Sequence, residues 1–162
     1  MGNIRVLFLF AIIALTSCER DKEEVAVKRV PIKEILPVIK IESYEITEKH
    51  ADLFTEAIAI NSQEELTGIF NSLGTNNCDE MNKINYEENT LLVRFFLDRN
   101  SQTIPSVAHF LFYHHEGEYY EHHLQLKSSY LKETDSIALY YTGIVIDKIE
   151  DNYIKTSYSK TS

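Results

Sequence analysis

The stretch that decides the fold is SQEELTGIFNSLG, residues 62–74. Ser62 followed by Glu65 is a capping box, in which a serine hydroxyl accepts from a helical amide and the glutamate bonds back to the backbone. Apolar side chains then recur at positions 66, 69, 70 and 73, which places them on one face of a helix. Gly74 stands where helices commonly end in a left-handed residue. The spacing predicts an amphipathic helix over 62–73 that packs on a sheet.

The segments around this helix have the patterns of β-strands. Residues 90–97, TLLVRFFL, are almost continuously apolar, which is typical of a central strand covered on both faces. Further strands are predicted at 38–46 and 57–60, in a hairpin of 107–115 with 118–126, and in a second hairpin of 137–149 with 153–158. We therefore predict an α+β fold, with one helix packed on a mostly antiparallel sheet of about five to seven strands.

The N-terminus has the features of a secretory signal. Arg5 precedes the apolar run Val6–Leu15, and Thr16-Ser17 precedes Cys18. Ten helical residues cover about 15 Å against about 30 Å of hydrocarbon, so this run is too short to cross a bilayer. The sequence Leu15-Thr16-Ser17-Cys18 resembles a bacterial lipobox, which implies cleavage before Cys18 and lipidation of that cysteine by diacylglycerol and a further acyl chain such as palmitate. Two or more such chains anchor a protein stably to a membrane.

The charged residues after the cysteine refine this address. Lys22-Glu23-Glu24 resembles the lipoprotein export signal of Bacteroidetes-type bacteria. The resemblance implies attachment to the outer membrane, with the cell surface favoured over the periplasmic face. The chain then divides into a signal peptide at 1–17, a lipidated cysteine and charged tether at 18–36, and a single domain at 37–162.

Charge and cysteine content restrict the remaining possibilities. The formal net charge is −9, which argues against nucleic acid as a partner because phosphate binding needs clustered Lys and Arg. If Cys18 is lipidated, Cys78 has no partner for an intramolecular disulfide. Cys78 lies in a polar stretch that is typical of a loop, and we interpret it as a partly shielded thiol.

Two histidine doublets, His114-His115 and His122-His123, flank the predicted turn and suggest a metal site. A two-residue turn at Glu116-Gly117 places His115 and His122 about 13 Å apart along the strands, whereas zinc ligands lie about 2 Å from the metal. A six-residue loop would instead pair the doublets across the hairpin, with an adjacent glutamate as a third ligand. We interpret the region as a polar hairpin tip, keep a metal- or small-ligand-binding module as the alternative, and expect no cofactor.

The chain is rich in tyrosine around the predicted hairpins. Tyrosine is favoured at interfaces because it offers apolar area and a hydroxyl at low entropy cost, although strands also prefer aromatic residues. The predicted partner-binding residues are Tyr113, Tyr119, Tyr120, Tyr140 and Tyr141, and Tyr130 lies within the same stretch.

Known catalytic motifs are missing from the sequence. Position 119 is tyrosine, so His115-Glu116 does not open an H-E-x-x-H motif, and the chain has no G-x-S-x-G, P-loop or G-x-G-x-x-G pattern. We therefore expect a protein that is not an enzyme. A small hydrolase remains an alternative and needs His109 or a hairpin histidine to meet a nucleophile in space.

The order of elements over residues 60–149 resembles a known domain family. Ser62–Leu66 opens the helix, Ile84-Asn85-Tyr86 precedes a strand, and paired strands follow. This order is similar to the PrcB-like (protease complex-associated) domains, often found in lipoproteins, and implies a role in binding or modulating an envelope protease. We predict a membrane-anchored lipoprotein whose non-enzymatic domain binds another envelope protein.

Overall fold

The computed structural model describes residues 26–41, 56–98, 104–127, 138–150 and 153–161. Within them it has one α-helix, one 3₁₀ helix at Met81–Lys83 and nine strands. The elements are β1 (Val27–Arg29), β2 (Glu34–Ile35), β3 (Ile39–Ile41), β4 (Ile58–Ile60), α1 (Gln63–Ser72), β5 (Asn89–Asp98), β6 (Ser106–His114), β7 (Tyr119–Lys127), β8 (Ala138–Asp147) and β9 (Ile154–Thr161).

The middle layer is a five-stranded antiparallel sheet built on β5 and β8. These two strands pair over their whole length, from Asn89 opposite Asp147 to Asp98 opposite Ala138. On the far side of β8 lie β2 and β3, and on the far side of β5 lies β4. Both faces of β5 are covered from residue 90 to residue 96, which confirms the central strand that the apolar run predicts.

Helix α1 packs on one face of this middle sheet, as its apolar stripe predicts. The Ser62 hydroxyl accepts from the Glu65 N–H at 3.1 Å, and the Glu65 carboxylate accepts from the Asn61 N–H at 2.7 Å. Leu66 and Phe70 are buried, and the Phe70 ring meets Tyr141 of β8 edge-on at a centroid distance of 5.0 Å. Gly74 follows the helix at a φ of 64°, a conformation that glycine adopts without steric cost.

The other face of the middle sheet is covered by a four-stranded sheet in the order β1-β6-β7-β9. The β6–β7 hairpin has the predicted short-turn register, with Leu111 opposite His122 and His114 opposite Tyr119. Two apolar clusters, centred on Leu92 with Leu111 and on Phe96 with Leu124, fill the space between the sheets. The described residues therefore form three layers: helix, middle sheet and outer sheet.

The predicted hairpin between 137–149 and 153–158 is wrong. β9 belongs to the outer sheet, where it pairs in parallel with β7, from Tyr120 opposite Ile154 to Lys127 opposite Thr161. The edges of β8 are already taken by β5 on one side and by β2 and β3 on the other, which leaves β9 no edge to pair with. The α+β class with a helix on a mostly antiparallel sheet fits, but the strands are more numerous than the predicted five to seven and form two sheets.

Two of the described strands lie before residue 37, where the predicted domain begins. β1 and β2 fall within the segment 18–36 that the sequence indicates as a tether, yet they pair with β6 and β8 respectively. The predicted signal peptide and Cys18 lie outside the described residues. None of the helices in the described ranges combines the length and the apolar character needed to span a bilayer.

Candidate ligand site between the two sheets

A cluster of polar side chains lies between the two sheets, where apolar residues are expected. Arg94 of β5, His109 of β6, His122 of β7 and Thr142 of β8 are each at most 4% exposed. Because side chains alternate along a strand, each of these residues shares its inward face with apolar neighbours two positions away. Arg94 lies opposite Thr142 in the middle sheet. Four different strands therefore bring one polar side chain each into the same interior region.

The hydrogen bonds of the cluster fix the histidine tautomers. Thr142 donates its hydroxyl to the Leu36 carbonyl oxygen at 3.1 Å, so its oxygen accepts from His109 Nε2 at 3.2 Å. His109 Nδ1 therefore accepts, and the donor is His122 Nε2 at 3.0 Å. His122 Nδ1 is left as an acceptor that has no partner among the described residues. Both rings are neutral in this arrangement.

The electrostatics of the site agree with two neutral histidines. Burial, and next the charge of Arg94, lowers the pKa of His109 to about 4. Burial also lowers the pKa of His122 well below its usual value, and the nearby His109, Arg94 and His123 act in the same direction. At pH 7 the positive charge of the cluster therefore resides on the guanidinium of Arg94.

Arg94 is buried, and it has no counter-ion among the described residues. Its Nη1 donates to the His122 carbonyl oxygen at 3.2 Å, but its Nε finds no acceptor in the described part of the chain. None of the ion pairs formed among the described residues includes Arg94. Burial lowers the pKa of Arg94, and no carboxylate opposes this effect. A buried charge is costly unless an opposite charge or hydrogen bonds compensate it, so Arg94 is an unsatisfied cation in a protein of net negative charge.

A cavity of about 400 Å³ lies beside this arginine. It is lined by Arg94–Leu97 of β5 and by Thr156–Tyr158 of β9. β4 pairs with Leu91–Val93 of β5, and its first residue, Ile58, lies opposite Val93, so the cavity lies beside β5 next to the point where the chain enters β4. Leu97 is 39% exposed and Tyr158 is 49% exposed, which places apolar surface at the cavity mouth. The volume lies in the usual range of small-ligand sites.

A second cavity, of about 420 Å³, reaches the cluster from the side of His109. It is lined by Arg29–Ile32, Ile35 and His109. Ile35 of β2 is 56% exposed, Arg29 is the last residue of β1, and residues 30–32 lie in the segment that joins β1 to β2. The polar cluster therefore contributes one residue to each cavity, Arg94 to the first and His109 to the second.

The four histidines predicted as candidate metal ligands are not brought together. His122 is buried between the sheets, whereas His123, its neighbour in the chain, lies on the outer face of the outer sheet, and His115 is exposed in the turn. His114 bonds Glu121 at 2.9 Å, also on that outer face. The described residues contain no group of three or more His, Cys, Asp or Glu side chains that could hold a metal ion.

His123 instead meets two serines of β9, the kind of contact that the hydrolase alternative requires. Ser157 donates to Glu121 Oε1 at 3.0 Å, so it accepts from His123 Nδ1 at 2.8 Å. His123 Nε2 then accepts from the Ser159 hydroxyl at 2.9 Å. The result is a chain of hydrogen bonds from Ser159 through His123 and Ser157 to Glu121, on the outer face of the outer sheet.

The predicted partner-binding tyrosines are dispersed. Tyr140 and Tyr141 are each 1% exposed, so their side chains are not accessible to a partner. Tyr113 and Tyr120 are half-buried and contact each other at a centroid distance of 4.9 Å. Tyr119 stacks on His114, and Lys155 Nζ lies 3.8 Å from the centroid of the Tyr119 ring. Tyr130 falls outside the described residues.

Cys78 is half-buried against the helix-side core, in agreement with its interpretation as a shielded thiol. Burial is the main cause that raises the pKa of this thiol. A thiol with a raised pKa is a poor nucleophile near neutral pH. Lipidation of Cys18 stays a prediction.

Sequence reasoning missed Arg94 as a functional residue. The signal that could have found it is local: Arg94 is the one charged residue in the apolar run TLLVRFFL, residues 90–97. A charge in a strand covered on both faces must be paired or must serve a ligand.

Comparison with protein-family models, with curated proteins and with solved structures gives no match for this chain.

Proposed function

We propose that this protein is a non-enzymatic binding protein whose ligand carries a carboxylate attached to an apolar body. The carboxylate pairs with Arg94, and the apolar body occupies the cavity between β5 and β9. Sequence features support a lipid anchor at Cys18, which would hold this binding domain at the outer membrane, on the cell surface in preference to the periplasmic face.

The observation that carries the proposal is the uncompensated charge of Arg94. The side chain is 4% exposed, its Nε has no acceptor among the described residues, and it lines a cavity whose mouth is partly apolar. A protein that needed only a stable interior would place an apolar residue there, because replacing buried ionic groups by apolar ones is often stabilising. An anionic ligand supplies the missing counter-charge and an acceptor for Nε in one step.

A matched pair of small ligands tests the charge requirement. Isothermal titration calorimetry of the full-length protein in mild detergent would compare 4-phenylbutyrate with 4-phenylbutyramide, which has a similar shape and no charge. A hydrogen bond between charged groups contributes about 1.5–3 kcal/mol, so the acid should bind about tenfold to a hundredfold more tightly than the amide.

The variants that accompany this experiment locate the site. Arg94→Met should remove the preference for the acid, whereas Lys33→Met, at an exposed lysine paired with Asp147, should retain it. Equal binding of acid and amide by the parent protein would refute the proposal, and so would an acid preference that survives in Arg94→Met.

The anchor is tested separately. Metabolic labelling with an alkyne analogue of palmitate should label the parent protein and sediment it with membranes. Cys18→Ser should lose both the label and the sedimentation, whereas Cys78→Ser should retain both. Labelling that persists in Cys18→Ser would refute lipidation at this cysteine.

A second candidate function, acyl hydrolysis, is favoured by the hydrogen-bonded chain on the outer face. Ser159 would be the nucleophile, His123 the general base, and Ser157 with Glu121 would orient the imidazole. The same bonds also join β7 to β9, which gives them a structural role without catalysis. A fluorophosphonate probe should label Ser159 if this candidate is right, and should fail to label Ser159→Ala and His123→Gln. Absence of labelling in the parent protein would remove the hydrolase candidate.

A further inference from the structure

Two residues in direct contact, Arg94 and His122, each hold a buried polar atom with an unused hydrogen-bonding position. Arg94 Nη1 donates to the backbone carbonyl oxygen of His122 at 3.2 Å, so the guanidinium lies against this residue. Arg94 Nε is a donor and His122 Nδ1 is an acceptor, and neither has a partner within the described ranges. His122 is 0% exposed, and a buried polar atom without a hydrogen bond costs free energy. The pair therefore offers one donor and one acceptor to a ligand.

The surroundings of His122 make its Nδ1 an acceptor. Nε2 of the same ring carries the proton and donates to His109 Nδ1 at 3.0 Å, and Thr142 fixes the tautomer of His109. The two imidazole rings are stacked, with their centroids 5.2 Å apart and 15° between their planes, which holds the His122 ring in one orientation. In a neutral imidazole the unprotonated nitrogen accepts a hydrogen bond and cannot donate one. A ligand group that bonds to Nδ1 must therefore be a donor.

The cavity between β5 and β9 adjoins both residues. Arg94 lines it directly, and so does Thr156, the β9 residue opposite His122. Opposite residues of paired strands share a face of the sheet, so Thr156 and His122 both lie on the inward side of the outer sheet. A ligand group that pairs with Arg94 at the inner end of the cavity is therefore close to His122, while the apolar surface of Leu97 and Tyr158 lies at the mouth.

From this arrangement we infer that the ligand is a 2-hydroxy carboxylate with an apolar tail, whose carboxylate accepts from Arg94 Nε and whose hydroxyl donates to His122 Nδ1. This inference rests on the proposed function and names the head group of its ligand. A carboxylate supplies only acceptors, whereas a hydroxyl on the neighbouring carbon supplies a donor. With a hydrogen bond of about 2.8 Å at each end, this head group satisfies both buried atoms at once.

Other donors on that carbon fit the site less well. An ammonium group would place a second positive charge close to Arg94, in a region where burial strengthens the repulsion. An N-acyl group would supply an amide N–H, but it would also bury a carbonyl oxygen that needs a donor of its own. A hydroxyl adds a neutral donor and little volume. The geometry therefore favours a hydroxy acid over an amino acid or an N-acyl amino acid.

A series of four related acids tests the inference on the full-length protein in mild detergent. Isothermal titration calorimetry would compare 4-phenylbutyrate with each enantiomer of 2-hydroxy-4-phenylbutyrate and with 2-amino-4-phenylbutyrate. One hydroxy enantiomer should bind about tenfold more tightly than 4-phenylbutyrate, because it gives the buried nitrogen a hydrogen bond. The other enantiomer should gain nothing, because its hydroxyl points away from Nδ1 when the tail lies in the cavity. The amino acid should bind more weakly than 4-phenylbutyrate.

Variants and a spectroscopic signal locate the hydroxyl contact. His122→Gln retains a side-chain N–H for the bond to His109 and removes Nδ1, so it should bind the preferred hydroxy acid and 4-phenylbutyrate equally. His115→Gln, at the exposed turn of the same hairpin, is the control and should retain the tenfold preference. In ¹⁵N-histidine-labelled parent protein, the His122 Nδ1 signal should move upfield with the preferred hydroxy acid and stay in place with 4-phenylbutyrate.

The outcomes distinguish this inference from the proposed function. If 4-phenylbutyrate binds more tightly than 4-phenylbutyramide but neither hydroxy acid improves on it, recognition of the hydroxyl is refuted and the carboxylate site stands. A hydroxyl preference that persists in His122→Gln, or an Nδ1 signal that the hydroxy acid leaves in place, refutes His122 as the acceptor. If 4-phenylbutyrate has no advantage over its amide, both proposals fail.

Discussion

Acidification should destabilise this protein well above the pH at which its carboxylates titrate. His109 is buried and its pKa is lowered to about 4, whereas a histidine in an unfolded chain has a pKa of about 6.5. A group whose pKa is lowered by folding stabilises the native state in its neutral form. That stability is fully present above pH 6.5 and is lost as the pH falls toward 4, because the unfolded chain takes up the proton and the folded protein does not.

The size of the effect follows from the two pKa values. Between pH 7 and pH 5, His109 alone should lower the free energy of unfolding by about 2 kcal/mol. His122, whose pKa burial also lowers well below its usual value, should add to this loss. Proteins of this size are stable by about 5–15 kcal/mol, so the loss is a large fraction of the whole.

Urea denaturation followed by far-ultraviolet circular dichroism at half-unit steps from pH 7 to pH 5 measures this loss. His109→Phe removes one buried titrating group, so it should reduce this loss by about 2 kcal/mol. His115→Gln, at the exposed turn of the same hairpin, is the control and should show the same loss as the parent protein. A free energy of unfolding that stays constant over this range, or that rises on acidification, would refute the neutral buried histidine pair.

Three further predictions concern the charge of Arg94, the packing of α1 and the cap of that helix. Arg94→Met should raise the free energy of unfolding by about 1–3 kcal/mol, because it removes a buried charge that has no counter-ion in the described part of the chain. A lower urea midpoint at pH 7 would show that the charge is compensated. Phe70→Ala should lower the free energy of unfolding by about 3–5 kcal/mol, because it leaves a cavity in the core. Thr67→Ala, on the exposed face of the helix, should change it by less than about 0.5 kcal/mol. Equal losses for the two variants in urea denaturation would contradict the packing of α1. Ser62→Ala should lower the free energy of unfolding by about 1 kcal/mol in the same assay, because it removes the helix cap. An unchanged urea midpoint would show that this hydrogen bond contributes nothing to stability.

The elements that sequence predicts well are those specified by neighbouring residues. The helix begins after Ser62 and ends before Gly74 because its cap, its apolar stripe and its left-handed terminal residue all lie within one short segment. The β6–β7 register follows in the same way from the short turn at Glu116-Gly117, which places Leu111 opposite His122.

What sequence could not predict is which distant strands meet. β9 follows β8 in the chain, and proximity favours a hairpin, but β9 pairs instead with the free edge of β7. β1 and β2 are too short and too exposed to have a readable pattern, and only their pairing partners define them. The three-layer arrangement depends on these long-range pairings.

The candidate site could not be predicted from the sequence for the same reason. Arg94 is conspicuous within its own apolar strand, yet its neighbours His109, His122 and Thr142 come from three other strands. The histidine doublets in the sequence suggest a metal site, but side chains alternate along a strand. His122 therefore lies between the two sheets, and His123 lies on the outer face of the outer sheet. A doublet in a strand therefore divides between two faces, and only the pairing of both sheets shows which histidine meets the arginine.

The most direct test of the carboxylate site is the side-chain resonance of the atom that lacks a partner. The Nε–H signal of Arg94 can be followed in ¹H–¹⁵N correlation spectra of ¹⁵N-arginine-labelled protein and assigned by its loss in Arg94→Met. We expect this signal to move downfield on titration with 4-phenylbutyrate, because Nε–H gains a charged acceptor, and to stay in place with 4-phenylbutyramide. An Arg94 signal that is unchanged by the acid at saturating concentration would contradict the carboxylate site.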